Sequence, residues 1–261
     1  MNGDYLDDRL LALRSETIIS EFGEEVPVNR DFHPWMYMEQ IGHWLTLNGT
    51  SYRVLVIVPV LLFILFGFRI DRVTAGLYTG GFTAASLEVV LLLAYQLYFG
   101  SIYLSTALFF AVFMGGLALG SSVRTGGRVE KLLGGRHTAI GRYYRLQYFL
   151  LVFAVALPFL VKLPGRMPGL SVFAQFLFFV LVFILALAVG YEFLLAARLR
   201  KGSFRGIAGD NYSTDLLGSA LGAFLTAIVF LPLIGIMWTC LLVAFLNLIS
   251  GSMAFSIRKS Y

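Results

Sequence analysis

Glu88 and Glu192 are the residues that can do chemistry, because each is a carboxylic acid set in an apolar stretch. Glu88 lies mid-run in Ala84-Ala85-Ser86-Leu87-Glu88-Val89-Val90. A charge at the centre of a membrane helix costs roughly 2.5–3.5 kcal/mol on insertion scales, so it must face the bundle, find a partner or carry a proton. Two readings stand side by side. Glu88 is a proton, cation or amine site, or it is a hydrogen-bonded clamp between helices. Tyr95, Gln96 and Tyr103 are its candidate partners. Glu192, in Gly190-Tyr191-Glu192-Phe193, lies nearer the end of its run, where it is expected to reach water or pair with Arg198.

Three glycine pairs form a second pattern: Gly76/Gly80, Gly116/Gly120 and Gly218/Gly222. A spacing of four puts both glycines on one helix face, where two backbones can approach closely. These read as helix-packing positions. A third motif, Asp210-Asn211-Tyr212-Ser213-Thr214-Asp215, stands before an apolar run. Its Asp or Ser is expected to cap a helix by accepting from free N–H groups; a polar mouth for a ligand is the other reading. No Gly-rich nucleotide or S-adenosyl cradle follows a strand, and neither HExxH nor GxSxG occurs. His33, His43 and His137 form no close metal pair, and the single Cys240 excludes an intrachain disulfide and a CxxC redox pair. The expectation is therefore no catalytic residue, no metal and no cofactor.

The elements that carry these residues are helices in lipid. The chain has 261 residues, 58% hydrophobic and 13% charged, with a mean hydropathy of +0.80. A soluble domain carries roughly 25% charged residues. A spanning helix needs about 20 mostly apolar residues. Arg53–Phe68, Val73–Leu97, Tyr103–Ser121, Tyr144–Val161, Leu170–Ala196, Thr214–Leu231 and Met237–Phe255 qualify or nearly do, which predicts an all-α bundle of about seven transmembrane helices over 52–261. The runs are continuous and do not alternate, which disfavours a barrel. Phe99-Gly100-Ser101 and Leu233-Ile234-Gly235 read as tight turns between antiparallel neighbours.

Basic residues set the sidedness. Fourteen of 20 Lys and Arg fall on one face: Arg69, Arg72, Arg124, Arg128, Lys131, Arg136, Arg142, Arg145, Arg198, Arg200, Lys201, Arg205, Arg258 and Lys259. The positive-inside rule puts that face, with the C-terminus, in the cytoplasm; the membrane is expected to be a bacterial or archaeal cytoplasmic one. With seven spans, residues 1–51 then lie outside. That polar segment has nine Asp/Glu against three Arg. It is too long to be the start of a cleaved signal peptide. Asp4–Phe22 reads as an amphipathic helix. Pro34–Leu47 places Trp35, Met38, Ile41, Trp44 and Leu45 at helical spacing, either in the headgroup region or on the core side of a small cap. The charge is read as topology, with no role in nucleic-acid binding.

The order of these motifs resembles a known family. Gly81-Phe-Thr-Ala-Ala-Ser-Leu-Glu88-Val-Val, Phe99-Gly100-Ser101-Ile-Tyr103 and Phe113-Met-Gly-Gly-Leu-Ala-Leu-Gly-Ser121 are similar to the membrane domain of fused, membrane-bound spermidine synthase-like proteins. Gly190-Tyr-Glu-Phe-Leu-Leu-Ala196 is similar to that family's Gly-x-x-Phe-Pro-Leu-Ala segment, with Leu194 in place of Pro. Tyr212, Leu217-Gly-Ser-Ala-Leu-Gly222 and Leu231-Pro-Leu-Ile-Gly235 resemble its late pair of helices. Val28-Asn-Arg-Asp-Phe-His-Pro34 resembles the tail of the aminopropyltransferase domain. Gly120–Arg128 also has the flavour of the Gly/Arg-rich loops of major-facilitator transporters, without their Asp. The resemblance covers most of the chain and implies the membrane half of a polyamine aminopropyltransferase-like system. The catalytic domain's donor loop and catalytic Asp have no counterpart. The implied role is a non-catalytic membrane subunit that assembles with other proteins, among them a separately encoded synthase-like chain. A transporter of a small amine using Glu88, and a structural subunit of a larger membrane (redox) complex, are the rival expectations.

Overall fold

A computed structural model of the chain describes residues 16, 35–47, 49, 52–68, 72–100, 103–123, 139–163, 171–200 and 204–258. The amphipathic helix expected over Asp4–Phe22 falls almost wholly outside them, as do His33 and His137.

Every element among the described residues is helical. In chain order they are α1 (Trp35–Leu47), α2 (Tyr52–Phe68), α3 (Arg72–Phe99), α4 (Tyr103–Ser121), α5 (Ala139–Lys162), α6 (Ser171–Leu199), α7 (Phe204–Leu225) and α8 (Leu231–Arg258). A five-residue π-helical segment, Thr226–Phe230, joins the last two. Each of the seven predicted apolar stretches is helical where it is described. Four described stretches are long and apolar enough to cross a membrane: Val73–Phe99, Ala139–Lys162, Val172–Leu199 and Gly206–Ser256. Two more, Val56–Phe66 and Thr106–Ser121, are apolar but shorter.

The fourth long stretch has 51 residues and doubles back. Gly235 breaks it at φ 72 and ψ 179. Only glycine adopts that conformation without strain. The Thr239 hydroxyl donates to the Gly235 carbonyl at 2.7 Å and closes the break. The neighbours of α3 show the reversal. Gly218 lies against Tyr78 and Gly222 against Phe82, so α7 runs parallel to α3. Asn247 lies at Thr83, while Ser250 and Met253 lie nearer Ala75 and Tyr78, so α8 runs antiparallel to it. The turn after α3 is simpler. Gly100 takes φ 66, in the left-handed region, and its N–H donates to the Gln96 carbonyl at 2.9 Å. A left-handed glycine is a common way to end a helix.

Helix α3 is the centre of the bundle. It packs against α5, α6, α7 and α8, and Leu77, Phe82, Leu87, Val90 and Leu91 along it are buried. Tyr95 sits in a ring cluster with Phe99, Phe109, Phe178 and Phe179, centroids 4.7–5.7 Å apart. The outer faces carry the opposite pattern for a protein in water. Val54, Leu61 and Leu65 on α2, Phe110 and Met114 on α4, Val152 and Phe159 on α5, and Trp238 and Phe245 on α8 are all exposed. Apolar cover on this scale suits lipid.

In α1, Leu45 turns inward and Trp44 is 59% exposed. One face of this helix therefore meets the body and the other is open, an arrangement that a helix in the headgroup region and a core-side helix share.

The expected cap at Asp210–Asp215 is not a helix end. Helix α7 starts at Phe204, so the motif lies inside it. Ser213 and Thr214 donate their hydroxyls back to the Asp210 carbonyl at 3.0 and 2.7 Å. The early start has a physical cause: a helix reaching past the hydrocarbon needs no apolar residues, so apolar content marks its buried part only. Arg200 ties the end of α6 to this turn through Asp210 (3.2 Å) and Asn211 (3.0 Å).

Candidate functional site

The polar side chains inside the bundle meet where α3 is thinnest. Gly76, Gly80 and Gly81 leave a trough on α3, and three helices send side chains into it. Tyr143 and Gln147, one turn apart on α5, enter at Gly76. Glu192 of α6 enters at Gly80. Asp215 and Ser219, one turn apart on α7, enter at Gly81.

The hydrogen bonds run from uncharged donors to carbonyls and one carboxylate. The Tyr143 hydroxyl donates to the Val73 carbonyl at 2.6 Å. One hydrogen of the Gln147 amide goes to the Gly76 carbonyl at 3.1 Å. The other goes to Glu192 Oε1 in a short contact. Gln147 thus joins α3, α5 and α6 with a single side chain. Glu192 and Gln147 have no exposed surface. Glu192 Oε2 and Asp215 Oδ1 are buried and accept no hydrogen bond among the described residues. They face neighbouring glycines, Gly80 and Gly81.

The expectation that Glu192 reaches water or pairs with Arg198 does not hold. Glu192 is fully buried, and Arg198 donates to the Val123 carbonyl at 2.9 Å. Position along the helix was a poor guide, because the glycine trough on α3 draws Glu192 to the inner face.

Glu88 lies apart from this cluster. It is half-buried, and its Oε1 is buried without a hydrogen-bond partner. Tyr95 and Gln96 are out of its range. Seven or eight residues along a helix is about 10–12 Å, beyond the reach of a Glu side chain. Tyr95 is committed to its ring cluster. The Tyr103 side chain lies outside the described residues.

The glycine pairs divide in two. A Cβ on Gly116 would stand 2.7 Å from Ala186 Cβ and 2.9 Å from the Phe183 carbonyl oxygen. On Gly120 it would collide with the Leu187 carbonyl, and on Gly218 with the Tyr78 carbonyl. Gly222 likewise meets the backbone of Phe82. These four are helix-packing positions, as the spacing predicts. Gly76 and Gly80 are not: a Cβ there would collide with the Tyr143 hydroxyl and Glu192 Oε2. That pair makes room for polar side chains.

Tyr143, Gln147, Ser219 and Gly81 were missed as site residues by reading the sequence, while Asp215 was singled out only within the Asp210–Asp215 motif, as part of a cap or a polar mouth. Two signals pointed their way. Gln147 is a polar residue entering an apolar run, and Gly80-Gly81 is a doublet beside a four-spaced pair. Neither signal names a partner. A second buried polar pair, Asn247 Nδ2 donating to Thr83 Oγ1 at 2.7 Å, joins α8 to α3.

Chemically, the cluster can hold a proton on a carboxyl group or oppose a small cation. No group of three His, Cys, Asp or Glu suited to a metal occurs among the described residues. No protein-family model matches the chain, and no curated protein or solved structure matches it either.

Proposed function

We propose that this chain is the non-catalytic membrane part of a spermidine synthase-like system, a fixed helical bundle that anchors or assembles with partner proteins. The observation that carries the reading is how the buried polar groups are used. Gln147, Tyr143, Asn247 and Thr83 are spent on other helices and on main-chain carbonyls, which locks α3 to α5, α6 and α8. A carrier needs helices that exchange partners, and such locks oppose that. The order of the sequence motifs supports the family reading, and the absence of a Gly-rich donor loop in this sequence is why the role assigned to it is non-catalytic.

Seven crossings fit this reading. Helices α3, α5 and α7 start, and α4, α6 and α8 end, beside the basic connectors. That favours a cytoplasmic C-terminus and an outer N-terminal segment. The test is copurification in mild detergent. A synthase-like chain is expected to come along. A purified chain that alone converts putrescine to spermidine overturns the proposal, as does a monomer that captures nothing.

One observation favours a second reading, a carrier of a small amine or proton. Glu192 Oε2 and Asp215 Oδ1 are two buried carboxylate oxygens, without donors, at adjacent residues of the α3 trough. Uptake into vesicles by the wild type, lost in Glu192→Gln, would establish it. Uptake equal to that of empty vesicles removes it. The same assay on Glu88→Gln tests Glu88 as the counter-charge.

A further inference from the structure

We propose that the groove between α5 and α6 binds one anionic phospholipid, with the phosphate at Arg142 and Arg145 and an acyl chain along Phe149 and Ile184. The groove is a cavity of about 340 Å³. Its α5 wall is Arg142, Arg145, Leu146 and Phe149. Steps of three, four and seven put these on one helix face. Residues of α6 at the same spacing, from Ile184 to Tyr191, form the other wall.

The two walls run antiparallel, which gives the groove a direction. Arg142 Nη1 donates to the Tyr191 hydroxyl at 3.3 Å, so these two close one end together. Phe149 and Ile184 line the other end. Seven residues separate the ends, about 10 Å along a helix. One end is therefore cationic and hydroxylated, and the other is apolar. An amphiphile with an anionic head has the same polarity in the same order.

The walls themselves hold no carboxylate: no acidic residue lines the groove among the described residues. Glu192, next to Tyr191 in sequence, turns away from the groove toward Gly80 and is held by Gln147. Arg145 is exposed. A guanidinium presents paired N–H groups that match two phosphate oxygens. Both arginines lie in the first two turns of α5, where an apolar helix leaves the hydrocarbon for the headgroups. Basic pockets between membrane helices at this depth suit anionic headgroups. Phe149 at the apolar end is exposed, and Val152, one turn beyond the groove, is exposed too and continues the apolar path down α5.

The experiment is native mass spectrometry of the full chain in mild detergent with dioleoylphosphatidylglycerol or dioleoylphosphatidylcholine. The wild type is expected to retain one phosphatidylglycerol in preference to phosphatidylcholine. Arg145→Gln should weaken that retention roughly fivefold, the worth of one basic residue near an anionic surface. Ile184→Trp, which fills the apolar end, should lower retention of both lipids. Helical content by circular dichroism checks that each variant is folded. Equal retention of the two lipids overturns the proposal, as does wild-type retention by folded Arg145→Gln. Displacement of the lipid by sn-glycerol 3-phosphate alone would make the site one for free phosphate and overturn the lipid assignment.

Discussion

The Gly76/Gly80 and Gly116/Gly120 pairs have one spacing and opposite uses. Along Gly116 and Gly120, the backbone of α4 meets the backbone of α6. Along Gly76 and Gly80, the backbone of α3 meets the ends of Tyr143 and Glu192. The first pair lets two helices touch, and the second lets polar side chains pass between helices. Small residues at a four-residue spacing thus specify an open lane on a helix. What fills the lane depends on the helix opposite. Helix α6 brings Ala186 and main chain to α4. Helices α5 and α6 bring Tyr143 and Glu192 to α3.

Four substitutions test this contrast, each read by thermal unfolding in mild detergent. Gly120→Ala should do most damage, about 3 kcal/mol, the upper range for overpacking a tight contact. The colliding atom is main chain, so both helices must move. Truncating a neighbouring side chain should not relieve it. Gln147→Leu comes next, at about 2 kcal/mol, the cost of leaving a buried acceptor without a donor. Glu192 Oε1 loses its donor inside the bundle, and the Gly76 carbonyl loses a second donor beyond its own helix's N–H. A loss as small as that of a surface change would mean the cluster locks nothing.

Gly80→Ala should cost about 1 kcal/mol, the low end for overpacking. The atoms it meets end a side chain that can give way. In a Glu192→Ala background that cost should vanish, as the coupling of two residues in contact requires. A cost that stays the same would show that the α3 trough is set by backbone after all. The smallest effect is of opposite sign. Glu88→Leu should gain about 0.5 kcal/mol by replacing a buried, unbonded oxygen with apolar surface. A loss above about 1 kcal/mol would give Glu88 a structural partner that its geometry lacks.

The helices were legible in the sequence because a continuous, non-alternating apolar run in hydrocarbon satisfies its peptide groups as a helix. Boundaries followed apolar content, so Tyr103–Ser121 matched to the residue, while α7 began ten residues before Thr214. The packing seams at Gly116/Gly120 and Gly218/Gly222 were legible too, because close approach needs small residues whatever lies opposite. The polar cluster was not. Its members come from four helices, and no local pattern says which face of α6 Glu192 occupies. The sequence drew attention to Glu88 because it sits deepest in its run. Depth along a helix and depth within the bundle are different coordinates, and only the first can be read from residue order.

The π-helical segment at Thr226–Phe230 has a consequence for how the chain tolerates change in length. A π turn holds one residue more than the α turn it replaces. Deleting one residue there lets the coil rewind as ordinary helix, and Gly235, a few positions on, already interrupts the winding and can take up the altered rotation. The same deletion within Leu77–Leu91 has no such slack and would turn every later side chain of α3 by about 100°.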